Sequence, residues 1–151
     1  MTITDEAKKS LLSIRPCLAI ARVITEYAEV AGLDMKASDG SMRIDNEPFE
    51  RLCIEKIDTN VISVAHYFEQ NGDLVPDPDM VFFILDSYWY PVSFQNQLTY
   101  QECMEYDNDG QILAVLENIR SMISFTDTWA DIISSQGYLE AVKPIGNEDA
   151  E

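Results

Sequence analysis

Val61-Ile62-Ser63-Val64-Ala65-His66-Tyr67-Phe68-Glu69-Gln70 is a ten-residue run rich in β-branched and aromatic side chains, and Asn71-Gly72 follows it directly. Branched and ring side chains fit a pleated surface, so the run favours extended backbone. Asn and Gly both tolerate positive φ, the conformation that a two-residue hairpin turn demands. The chain must reverse at Asn71-Gly72, and the centre of the fold is decided as antiparallel β.

Outward from this hairpin, the tracts 41–45, 49–57, 80–86, 89–94 and 98–106 read as further short strands. The separators Asn46-Glu47-Pro48, Asp58-Thr59-Asn60, Asp86-Ser87 and Gln95-Asn96-Gln97 are too short for the crossovers that parallel strands need. Pro76 and Pro78 predict a stiff loop over 73–79 that presents Asp73, Asp77 and Asp79. Before the strands, 5–12 reads as a short helix with Thr4 as N-cap and two acids in its first turn. A longer helix follows Pro16, with Cys17, Ile20, Ala21, Ile24, Tyr27, Ala28 and Ala31 on one face and Gly32 as terminator. After the strands, Asp107-Asn108-Asp109-Gly110 breaks the sheet, and Ile112, Leu116, Ile119, Ile123, Trp129, Ile132 and Ile133 take helical spacing up to Gly137. Phe125-Thr126-Asp127 is read as a point where that helix bends or divides. The expected fold is α+β: an antiparallel meander of five or six strands with N-terminal and C-terminal helices on one face. One domain is expected over 1–145, with a frayed acidic tail over 146–151.

The chain has 151 residues and a formal net charge of −17 at pH 7. That charge is unevenly placed: 1–56 holds ten acids and eight bases, whereas 57–142 holds fourteen acids and one base, Arg120. The second segment alone carries −13. Phosphate contact needs a basic surface, so direct binding to nucleic acid or to an anionic membrane is excluded as an expectation. With 46% hydrophobic residues the chain is too apolar for an acidic disordered tail. The opening Met-Thr-Ile-Thr-Asp-Glu has no basic stretch leading into an apolar one, and no window approaches a membrane span, so a cytoplasmic location is expected. Cys17, Cys53 and Cys103 are odd in number and widely spaced, and they read as reduced thiols.

His66 is the sole histidine. On a strand it shares a face with Ile62, Val64 and Phe68, which makes it a hydrogen-bonded core residue; the functional reading pairs it across strands with Glu55 or Glu102 as a general base. A Cys53 or Cys103 nucleophile beside His66 has no supporting local signature. Asp73, Asp77 and Asp79 either cap local turns or offer oxygen to a hard cation, although the EF-hand spacing fails. The consecutive Tyr88, Trp89 and Tyr90 cannot all face inward, so at least one is expected at the surface. No catalytic residue, metal ligand set or cofactor is assigned.

The pattern HYxEQNGDxxxDPDM over 66–80, with Leu52-Cys53-Ile54-Glu55 before it and Trp89-Tyr90-Pro91 and Gln101-Glu102 after it, resembles a bacterial family catalogued as domain of unknown function 6908. The likeness spans roughly 49–137, and its motif residues are His66, Glu69, Gln70, Asn71, Gly72, Asp73, Asp77, Pro78 and Asp79. By this resemblance many relatives carry Leu-Met-Arg where this chain has Leu74-Val75-Pro76, so the basic residue expected at Pro76 is missing. The resemblance implies a setting in phages, plasmids and conjugative elements, and hence an accessory or anti-defence role. Together these readings give a non-catalytic module that engages a basic protein partner, such as a nucleic-acid-binding protein, in the manner of a nucleic-acid mimic. Its expected interface residues are Tyr67, Glu69, Asp73, Asp77, Asp79, Tyr88, Trp89, Tyr90, Glu102, Glu105, Asp107 and Asp109. Homo-oligomerisation is the other arrangement of this class, and the competing class is a metal-dependent hydrolase or nucleotide-acting enzyme built on His66 and the aspartate loop.

Overall fold

The computed structural model describes residues 3–146. Helix α1 (Asp5–Leu12) begins where the Thr4 hydroxyl accepts from the Ala7 amide at 2.9 Å, with Asp5 and Glu6 complementing its positive end. Helix α2 (Leu18–Ala31) starts after Pro16 and stops at Gly32, whose φ of 82° is the left-handed turn that ends helices. The Cys17 amide donates to the Trp89 carbonyl at 2.9 Å, which pins the start of α2 to the sheet.

Six strands follow in order: β1 (Ser41–Ile44), β2 (Leu52–Asp58), β3 (Val61–Gln70), β4 (Asp73–Leu85), β5 (Tyr88–Gln95) and β6 (Tyr100–Glu102). Each pairs antiparallel with the next, a simple meander, as the short separators require. Asn71 (φ 55°) and Gly72 (φ 85°) both adopt the left-handed conformation that closes the β3–β4 hairpin. Strands β7 (Met104–Tyr106) and β8 (Ile112–Ala114) form a separate two-stranded ribbon, and helices α3 (Leu116–Ser135) and α4 (Tyr138–Ala141) complete the chain. Helices α2 and α3 pack on each other and on β5. The core between layers joins Ile20, Ile24 and Ala28 of α2, Ile119, Ile123 and Trp129 of α3, and Ile54, Val64, Phe82 and Trp89 of the sheet, all buried. No helix among the described residues is long and apolar enough to cross a membrane.

Four expectations are corrected. The tract 73–79 is strand, because β4 begins at Asp73 directly after the turn. It pairs only with β3 there, since its contact with β5 begins at Asp79, so Pro76 and Pro78 lie where one side of the strand has no neighbour to receive an N–H. The strand expected over 98–106 is split between β6 and β7, and Ile112 belongs to β8 and not to the last helix. Helix α3 runs unbroken through Phe125-Thr126-Asp127, where the Thr126 hydroxyl donates to the Ile123 carbonyl at 2.7 Å. Beyond Gly146, the expected tail lies outside the described residues.

Lys56 is 2% exposed, and its ammonium donates to the carbonyls of Met35 (2.8 Å) and Thr59 (2.9 Å), tying the loop after α2 to the β2–β3 turn. Burial pulls its pKa below the ordinary lysine value, against the attraction of Asp58 and Asp34. Lys56→Met keeps the stem's bulk and removes both donors, so we expect a loss of about 2 kcal/mol, or roughly 4–8 °C in Tm. Unchanged thermal unfolding of that variant would show that the two carbonyls find water instead.

Candidate functional site

The β3–β4 hairpin carries the distinctive motif and sends its side chains to two different faces. Ala65 pairs with Asp79 and Tyr67 with Pro76, so Asp77 and Pro78 together oppose His66. This is a β-bulge, which bends the strand and re-aims its side chains. The Asp77–Pro78 peptide inside it is cis, as is Glu47–Pro48 across the cleft described below.

On the helix side, His66 is 7% exposed and lies against Trp129 (ring centroids 5.9 Å, edge to face) and Tyr138 (5.7 Å). Phe125 stacks on Trp129 at 6.0 Å, and Phe49 meets Tyr138 at 6.4 Å. The Tyr138 hydroxyl donates to the Glu50 carbonyl, and the Asn46 amide donates to the Gln136 carbonyl at 2.6 Å, so the end of α3 is fastened to the β1–β2 connection. Between them lies an open cleft of about 430 Å³ whose polar lining includes His66, Glu50 and Asp77. That volume falls in the range of roughly 300–1,000 Å³ typical of ligand sites.

Burial lowers the His66 pKa, while the neighbouring backbone of Arg51 and Glu50 and the Asp77 carboxylate favour the charged ring. His66 Nδ1 is buried and has no hydrogen-bond partner. An unpaired buried nitrogen costs about 1–3 kcal/mol unless something fills it. Burial raises the Glu50 pKa, and repulsion from Asp77 adds to that rise, so two carboxylates crowd the mouth of the cleft.

The open face of the sheet is different. A shallow hollow of about 350 Å³ lies over Ala65, lined by Arg43, Cys53, Glu55, Ser63 and Tyr67 among others. Both oxygens of Asp79 are taken there, by the Ser63 hydroxyl and the Tyr67 hydroxyl at 2.9 Å each. Burial and that hydrogen bond raise the Tyr67 pKa, so the phenol stays protonated as a donor. Ser63 has a carboxylate partner but no imidazole, because His66 points through to the other face.

The sequence-predicted residues therefore separate. Asp77 shares the cleft with His66, Asp79 lies on the opposite face, and Asp73 sits at the hairpin tip. Glu55 pairs with Ser63 on the open face, while His66 pairs with Leu52, so the His66–Glu55 acid–base pair of the functional reading does not form; Cys53 likewise faces away from His66. Glu102 pairs with Ser93 at the far edge of the sheet. Among the described residues no group of three His, Cys, Asp or Glu side chains converges as a metal site, which leaves the hydrolase reading unsupported. Trp89 and Tyr90 are 3% and 1% exposed and belong to the core, whereas Tyr88 is 46% exposed, the one of the three that reaches the surface. Glu69, Gln70, Glu102, Glu105 and Asp109 are exposed, and Asp107 is turned into its own loop, accepting from the Asp109 and Gln111 amides. Phe49, Glu50, Phe125, Trp129 and Tyr138 complete the cleft without having been singled out as site residues, because they come from distant segments with no shared local signal.

The fold and cleft define a small α+β protein with a meander sheet, one helix-covered face, and a concave aromatic site rimmed by acids. The chain belongs to the family described as a domain of unknown function (DUF6908), whose model matches residues 20–139. The match begins well before the tract over which the motif resemblance runs and takes in most of α2. No curated protein and no solved structure gives a significant match.

Proposed function

We propose that this protein is a non-catalytic binding module whose acidic, aromatic-bearing side takes up a basic protein partner in the cytoplasm. One observation carries the reading: from β3 to β8 the exposed charges are Glu69, Asp73, Asp77, Asp86, Glu102, Glu105 and Asp109, and no Lys or Arg occurs between Lys56 and Arg120. Exposed Tyr88, Tyr100 and Tyr106 stand among these carboxylates. Carboxylates without intervening cations steer a basic surface inward, and amphipathic rings then supply contact area at low entropic cost. The free thiols of Cys17, Cys53 and Cys103 fit a reducing compartment. Pairing of copies through the sheet is disfavoured, because the edge strands β1 and β6 have only four and three residues and the open edge of β4 before Asp79 carries Pro76 and Pro78.

The test is affinity capture from a host lysate at two ionic strengths, about 0.01 M and 0.15 M, between which the Debye length falls from roughly 30 to 8 Å. Basic proteins should be enriched at the lower salt, and the identified partner's Kd should weaken by about tenfold or more at the higher. A captured partner that is neutral or acidic, or whose affinity ignores salt, would remove the reading.

A further inference from the structure

We infer that the cleft beside the Asp77–Pro78 bulge is an anchor pocket for an apolar or aromatic side chain of the basic partner, taken up together with a flanking lysine or arginine that stays at the rim. The inference rests on the binding-module reading and adds where the partner is gripped and by what kind of segment. Apolar surface is what invites the anchor. Ile132 is 46% and Phe49 40% exposed, Pro48 is exposed, and Phe125 and Pro78 are half-buried, so carbon from distant parts of the chain opens on one hollow of about 430 Å³. Trp129 and Tyr138 stand behind these groups, held by ring contacts to Phe125, His66 and Phe49, so the walls are formed before anything binds. His66 closes the floor, and its Nδ1 is buried beside the Glu50 and Arg51 backbone, so an occupant meets no polar partner there. Preformed apolar hollows of this kind are where the energy of a protein interface concentrates.

The rim selects the segment that brings the anchor. Both charged residues that line the cleft, Glu50 and Asp77, are acids, and both are exposed. A wholly apolar segment would strip water from these carboxylates and give nothing in return, and an acidic segment or a phosphate would be repelled. A cation next to the anchor offsets that desolvation while keeping its own water on the outer side. A second copy of this chain is a poor occupant. Its four most exposed large apolar side chains among the described residues, Leu74, Leu98, Tyr100 and Tyr106, all lie between Lys56 and Arg120, where no Lys or Arg occurs.

The experiment is a solution NMR titration of the full-length ¹⁵N-labelled chain with the end-blocked tripeptide Lys-Phe-Lys, and with Gln-Phe-Gln, Lys-Gly-Lys and Glu-Phe-Glu. The Trp129 indole N–H and the Phe49 and Gln136 amides should shift saturably with Lys-Phe-Lys, at least several-fold more weakly with Gln-Phe-Gln, and not with the other two. Ile132→Lys sets a cation at the mouth and Ile132→Ser removes apolar surface alone. Both alter an exposed side chain, so the fold is kept, and each should weaken Lys-Phe-Lys binding by about tenfold. Equal shifts from Lys-Phe-Lys and Lys-Gly-Lys would reduce the cleft to a charged rim, and equal shifts from Lys-Phe-Lys and Glu-Phe-Glu would strike out the flanking cation; either result, or silence of all three reporters, overturns the assignment. So does a dimer in sedimentation that Ile132→Lys abolishes, since the cleft would then belong to a second copy. If the cleft stays silent while a basic partner is still captured in a salt-sensitive way, the anchor pocket fails and the module stands. If Lys-Phe-Lys saturates the cleft while no salt-sensitive partner is found, the acidic-face reading is the one that fails.

Discussion

The unfolding free energy of this protein should fall by several kcal/mol between about pH 9 and pH 12. Burial raises Cys17 from 9.0 to about 11 and Cys103 from 9.0 to about 12. Burial also lifts Tyr27 and Tyr138 from 10.0 to about 12. For each group the folded value lies above the unfolded one, so the unfolded chain gives up its proton first. The stability these groups confer is complete below about pH 9 and is lost as pH rises toward their folded values. A tenfold change in a dissociation constant corresponds to about 1.4 kcal/mol, and two such steps for Cys17, Tyr27 and Tyr138 with three for Cys103 outweigh the opposing residue Lys56, whose lowered pKa favours folding as pH rises. Denaturant unfolding measured at half-unit pH steps should show the decline beginning near pH 9, where only the thiols titrate. A variant with Cys17→Ala and Cys103→Ala should delay that onset toward pH 10. A wild-type profile flat to pH 11 would contradict the burial assigned to these side chains.

Trp129→Ala should cost about 3–5 kcal/mol, the range for removing a large buried aromatic. Trp129 is 4% exposed and joins the His66 edge to the Phe125 ring, so its loss opens the cleft from within. In a chain of this length that loss corresponds to a Tm lower by roughly 6–20 °C. A second readout follows from the same cause. Burial is the largest influence on His66, so the imidazole should titrate closer to its ordinary 6.5 in the variant than in the native chain. Proton NMR of the His66 ring gives that midpoint directly, and Trp129→Phe, which keeps an aromatic ring, should produce a smaller shift of the same sign. An unchanged His66 midpoint in a folded variant would mean that Trp129 does not control its desolvation.

The sheet was legible in the sequence because its turns are chemically explicit. Asn71-Gly72 admits two positive φ angles in succession, and the other separators are too short for anything but reversal. The helix ends were equally legible, through Thr4 at the start of α1 and Gly32 at the end of α2. Where the reading failed, long-range pairing overrode a local signal. Pro76 and Pro78 speak for a loop only when their missing N–H would have faced a neighbour, and β4 has none on that side before Asp79. Ile112 and Leu116 have helical spacing, yet Ile112 pairs with Tyr106 across the β7–β8 ribbon. The aromatic character of 67–106 was evident, but assigning Trp89 and Tyr90 to the interior needed the β4–β5 register and its bulge at Val81/Phe82. The cleft itself was hidden for a simpler reason: its walls come from 48–50, 66, 77–78 and 125–138, and no periodicity links them.

The bulge opposite His66 makes residue count, more than residue type, what sets the bend of this hairpin. Residues paired across a ladder share a face, so the pairs from Tyr67–Pro76 to Gln70–Asp73 keep their orientation if one of Asp77 and Pro78 is lost: Ala65–Asp79 and Tyr67–Pro76 would then flank a single residue opposite His66, and the strand would straighten. A substitution here changes one side chain at the cleft, whereas a single-codon deletion takes a whole residue out of the cleft wall and leaves the turn and the exposed Leu74 where they are.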